Sequence, residues 1–181
     1  MSGRFFDPAS GRRPVRRPKA DQEVRPTEFM SRILIVGYGN PLRGDDAFGW
    51  RVAESLLALE HDPAVEILCL HQLTPELMDP LSRADLAIFI DACAGEEPGA
   101  IVERRIDPES ANRASFTHHA TPEALLAGAR TLYGRAAEGV MISVAGADFS
   151  LRSELSPTVS SRLDEVIAAT LRLIATRCTL P

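Results

Sequence analysis

Apolar and polar positions alternate in blocks along most of this chain. Residues 32–38 (RILIVGY) are a short, nearly unbroken apolar run, the mark of a strand buried on both faces. Residues 65–70 (VEILCL), 85–91 (DLAIFID) and 139–146 (GVMISVAG) repeat that pattern, whereas 100–106 (AIVERRI) alternates and predicts a more exposed strand. Between them lie helical patterns. In 46–60, Phe48, Val52, Leu56 and Leu59 fall close to one stripe. Thr74-Pro75-Glu76 and Thr121-Pro122-Glu123 both read as helix starts, with threonine as N-cap and proline in the first turn; the second helix is expected to run to about Tyr133 and stop at Gly134. Ser156-Pro157 opens the last helix, in which Val159, Leu163, Val166, Ile167, Thr170, Leu171 and Ile174 keep a 3-4 spacing. Strands alternating with helices predict a three-layer α/β/α domain around a doubly wound, mainly parallel sheet of about five strands. In such sheets ligands gather at the carboxyl ends of the strands. Those ends fall just after Tyr38, just after Leu70, at Asp91 and just after Val144.

The periodicity starts only at residue 32. Residues 1–31 hold four prolines and little apolar pattern, and read as a disordered basic extension, with the domain spanning 32–181. Met30, just before the first strand, is an alternative start. The "RRPVRRP" run has no apolar segment after it, which tells against secretion. The extension carries seven Arg/Lys and four Asp/Glu, a net of +3, against thirteen and twenty-one, a net of −8, in the rest. So acidic a body argues against nucleic acid as a partner. The longest apolar runs fall short of a membrane span. The three cysteines, Cys69, Cys93 and Cys178, are scattered, which fits a reducing cytoplasm better than a disulfide scaffold or structural zinc.

Candidate chemistry concentrates at the strand ends. The first loop, GYGNPLRGDDAFG, lacks a dinucleotide fingerprint: Gly37 and Gly39 fill two positions, but the third is Leu42. A P-loop also fails, since no Gly-Lys-Ser/Thr follows. Asp45 is well placed to cap the following helix; Asp46 then falls in its first turn, either as a second capping charge or as a site carboxylate. Asp91 ends an apolar strand, where a charge is costly unless solvated, paired or metal-bound. Two of the four histidines, His118 and His119, stand together just before a helix start. Imidazole beside two carboxylates is a common transition-metal set. No G-x-S-x-G motif is present, which disfavours a serine hydrolase; a thiol mechanism pairing Cys93 with either histidine is an alternative.

Taken in order, GYGNPLRGDDAFG, HQLTPELMDPL, IDACAGEEPG, THHATPEALLAGARTLYG and GADFSLRSELSPTVSSRLDEV resemble the nickel-iron hydrogenase maturation endopeptidases over about residues 32–175. The resemblance implies a doubly wound α/β fold and an endopeptidase that removes a C-terminal extension from the hydrogenase large-subunit precursor once nickel is in place. It implies a metal-reading and catalytic set of Asp46, Asp91 and His118. Asp46 stands where many members carry glutamate, one C–C bond (about 1.5 Å) longer. His118 is matched by its offset from Leu125, with His119 as competitor or as a substrate contact. Gly39 and Asn40 are expected to border the substrate, with Asn40 holding the turn or donating to the peptide. Nickel is expected to arrive with the precursor, and zinc or cadmium to substitute in crystals. The partner is then the precursor, with no nucleic acid and no membrane, and the protein a cytoplasmic monomer. The rival from another class is a non-catalytic metal-sensing or chaperone protein on the same fold.

Overall fold

The computed structural model describes residues 32–110 and 120–178. The basic extension, His118 and His119 therefore lie outside the described residues.

The strands are β1 (Ile33–Tyr38), β2 (Val65–Leu70), β3 (Leu86–Ala94), β4 (Ile101–Ile106) and β5 (Glu138–Gly146), in the spatial order β2-β1-β3-β5-β4. All pairings are parallel except β4 with β5, which is antiparallel. The helices are α1 (Phe48–Leu59), α2 (Met78–Arg83), α3 (Pro122–Tyr133), α4 (Pro157–Ser160) and α5 (Leu163–Cys178). This is the doubly wound sheet expected from the alternation.

Strand parity divides the core. Ile33, Ile35, Ile88 and Ile90 face one way and pack with Phe48, Val52 and Leu56 of α1 and Val166 and Ile174 of α5. Leu34, Val36 and Phe89 face the other way, against Leu81 of α2 and Leu125 and Leu126 of α3. The central strands β1 and β3 are coated on both sides, which is why they read as unbroken apolar runs. The edge strands differ: β2 is only partly covered, and β4 leaves Val102–Arg105 exposed, as its alternating sequence predicts.

Four elements differ in detail from the sequence expectation. The start at Thr74 is a 3-10 turn over Pro75–Leu77 that the Thr74 side chain does not cap, and the α-helix follows from Met78. The helix expected from 46 is preceded by a 3-10 turn over Gly44–Ala47, and its α-helical part starts at Phe48. The last helix breaks between Ser160 and Leu163 into α4 and α5. β3 runs three residues beyond Asp91, because its pairing with β5 continues to Ala94↔Gly146, while its pairing with β1 stops at Gly37↔Ile90. Asp91 is thus the first β3 residue to lose its β1 neighbour.

The chain leaves β1 toward β2 on one side and returns to β3 on the other. The crevice between β1 and β3 is therefore the topological switch point, where doubly wound sheets bind ligands. Two glycines let α1 close over it. A Cβ on Gly37 would collide with the Gly49 carbonyl, and one on Gly49 with the carbonyls of Ile90 and Tyr38.

Candidate functional site

The loop after β1 is built around Asp46. Gly39 adopts φ +132°, and a side chain there would strike the Asp46 backbone carbonyl. The Asn40 amide donates to Asp46 Oδ2 at 2.8 Å, and Asn40 Oδ1 accepts from the Leu42 amide at 3.0 Å. Asn40 thus holds the turn, one of its two expected duties, and the turn holds Asp46.

Asp45, one residue earlier, does something the sequence reading did not foresee. No side-chain bond caps the turn or α1. Instead Asp45 is wholly buried and points across to the segment after β5. Its Oδ2 accepts from the amides of Ala147 (2.8 Å) and Asp148 (2.9 Å) and from Ser156 Oγ (2.8 Å); its Oδ1 accepts from the Ser156 amide (2.7 Å). Burial pushes the carboxyl up, but these donors prevail and hold it below the ordinary aspartate value. Ser156 in turn caps α4 through the Val159 amide at 3.4 Å.

Asp91 comes in from β3. Its Oδ1 accepts from the Ala92 amide at 2.8 Å. Burial pushes its pKa up to about 7, with the negative charge of Asp46 adding to the rise; the Ala92 amide and the Tyr38 hydroxyl oppose it. Tyr38 and Asp91 belong together by register: Gly37 pairs with Ile90, so the next residues on adjacent strands share a level and a face. Burial and the neighbouring carboxylate push the Tyr38 hydroxyl far above its usual value, so it stays a proton donor. Tyr38→Phe removes that donor, and the Asp91 carboxyl is expected to titrate higher still, measured by NMR on its carboxyl carbon.

Asp46 and Asp91 share a cavity of about 330 Å³ with Tyr38, Gly39, His71 and the start of α3, Ala120–Pro122. The α3 start is firmly set. Thr121 Oγ1 accepts from the Ala124 amide at 3.2 Å, and Glu123 in the first turn pairs with Arg104 of β4 at 2.8 Å. Gly134, in the left-handed region at φ +77°, ends the helix as expected. His118 and His119 precede this fixed start in the chain but lie outside the described residues. Among the described residues, no three His, Cys, Asp or Glu side chains form a complete metal set. The two carboxylates are an incomplete hard-donor pair that an imidazole suits. Cys93 is exposed and is not among the residues lining the cavity.

Sequence reasoning passed over Tyr38 and His71. Strand parity was the available signal for Tyr38, since a carboxylate ending an apolar strand needs a donor on the same face. For His71 it was the rule of the strand ends, which points to the residue after Leu70.

No protein-family model matches the chain. A protein of Methanocaldococcus jannaschii provisionally named a hydrogenase maturation protease is 28% identical over 146 residues, covering 78% of this chain and 93% of its own. The hydrogenase maturating endopeptidase HybD of Escherichia coli superposes with a TM-score of 0.67 at 26% identity, over 80% of this chain and 93% of its own. The nickel-iron hydrogenase maturation protease HycI of Thermococcus kodakarensis gives 0.65 at 27% identity, over 82% and 95%. The chain is thus a relative of the hydrogenase maturation endopeptidases in both sequence and fold, and a peptidase is the activity that this likeness supports.

Proposed function

We propose that this chain is the endopeptidase that removes the C-terminal extension of a nickel-iron hydrogenase large-subunit precursor after nickel has been inserted. The observation that carries the reading is the convergence of Asp46 and Asp91 on one cavity at the switch point, beside the helix start that follows His118. In this reading Asp46, Asp91 and His118 supply oxygen, oxygen and nitrogen donors to the metal that the precursor brings. Three protein donors leave coordination positions for the precursor's own groups, so an unloaded precursor is bound poorly and spared. Held there, the precursor's metal would supply Lewis-acid polarisation of the scissile carbonyl. Water adds to the carbonyl carbon and gives a proton to the Asp91 carboxylate oxygen that does not hold the metal. The proton then passes to the leaving amine as the C–N bond breaks. The Gly39 backbone borders the peptide.

Among the described residues, no helix is long and apolar enough to cross a membrane. The test is incubation of the purified protein with purified precursor, with and without nickel, read by mass spectrometry. Loss of a short C-terminal fragment only from the nickel-loaded precursor is the expected result. Stable, nickel-dependent association with no cleavage supports the metal-sensing or chaperone reading instead.

A further inference from the structure

The wall of the cavity on the β2 side belongs to no part of the mechanism above. β2 is an edge strand, so the residues that follow it close the cavity on its open flank. The Gly39 amide donates to the Leu70 carbonyl at 3.0 Å, which sets His71 directly beside the glycine turn that carries Asp46. The His71 side chain is exposed, lines the cavity, and meets Trp50 edge to face, with ring centroids 5.0 Å apart and planes at 64°. Trp50 sits in the first turn of α1, one helical turn past Asp46. The imidazole is therefore tethered to the same helix start that positions Asp46, and its direction is set by an aromatic contact.

Two other roles fit poorly. His71 does not complete a metal set with Asp46 and Asp91 in this arrangement. An exposed ring also adds little to the core. What remains is a polar, hydrogen-bonding group on a fixed aromatic support, at the wall of the cavity that Asp46 and Asp91 share.

We propose that His71, held by Trp50, is a substrate-contacting residue that hydrogen-bonds the backbone of the precursor on the β2 side of the cavity. The inference rests on the peptidase reading for the identity of its ligand. A neutral imidazole offers one N–H donor and one acceptor nitrogen, which matches the alternating carbonyls and amides of an extended peptide. Trp50 is a positioning residue that acts through His71.

Cleavage of nickel-loaded precursor by the full chain tests this. His71→Ala is expected to raise KM about fivefold, the worth of one net hydrogen bond, and to leave kcat within about twofold. His71→Gln, which keeps an N–H donor and an acceptor, is expected to recover most of the loss. Trp50→Leu is expected to raise KM in the same direction by a smaller factor, with thermal midpoints confirming that the variants are folded. Wild-type KM in His71→Ala, or a glutamine variant no better than alanine, overturns the proposal. If the wild-type protein binds the precursor without cutting it, the peptidase reading falls, and the same fivefold effect is then sought in Kd. A wild-type protein that neither binds nor cuts overturns both.

Discussion

Asp91→Asn keeps the strand but is expected to lower precursor cleavage by about a thousandfold, the usual scale for removing a group that acts on the reacting centre. Asparagine is isosteric and retains an oxygen for the Ala92 amide, so the loss would be chemical rather than architectural. The same variant has a pH signature. The folded-state pKa of Asp91 lies above its ordinary value of 3.8, at about 7. The folded protein therefore holds a proton that the unfolded chain has released, and wild-type stability falls as pH rises from about 4 to about 7. In a closed interior that shift would be worth ~4 kcal/mol; the cavity is open to water, and about 2 kcal/mol is expected. Asp91→Asn has no such proton to lose. Urea unfolding should show wild type losing stability between about pH 4 and about pH 7 by roughly that amount, and Asp91→Asn losing less over the same range. Metal binding runs the other way: donation needs the carboxylate, so nickel-dependent association should strengthen as pH rises through about 7. A wild-type level of cleavage by Asp91→Asn would remove the role assigned to this residue.

Asp45→Ala is expected to be the most damaging substitution for stability, at about 3 kcal/mol, or roughly 6–12 °C in Tm for a domain of this size. One carboxylate satisfies three backbone amides and a hydroxyl. Truncation leaves those donors unpaired in a place where the side chain has no exposure. The damage reaches the candidate site, because the strapped segment also pairs with the Asp46 turn: Arg152 and Gly44 bond at 2.8 Å, and Arg152 and Leu42 at 3.0 Å. Cleavage should therefore fall even below the melting temperature. The carboxyl is held below its ordinary 3.8, so its contribution is complete above about pH 4 and fades as pH drops through the lowered folded-state value. Wild type should accordingly lose stability as pH drops below about 4, and Asp45→Asn, already less stable at neutral pH and with no carboxylate to protonate, should lose less over the same range.

The sheet was legible because its central strands are covered on both sides and so spell continuous apolar runs. The helix starts at Thr121 and Ser156 were legible because capping is local chemistry: in both, the side chain accepts a bond three residues on. Asp91 was found by the cost of a charge at the end of ILE-rich sequence, a cost that its raised pKa now expresses. Asp45 was misread as a helix cap because its partners lie more than a hundred residues away, and nothing local distinguishes a cap from a long-range strap. The same limit hid the Tyr38–Asp91 and Trp50–His71 contacts, each made between elements that only the completed sheet brings together.

Asp45 and Asp46 are consecutive, yet one carboxylate is spent inward on architecture and the other faces the cavity. The 3-10 turn beneath them rotates each residue by about a third of a revolution, so their duties depend on phase. An insertion or deletion of one residue between Arg43 and Phe48 would exchange strap for donor and leave neither in place. The length of this turn is therefore what assigns each carboxylate its duty.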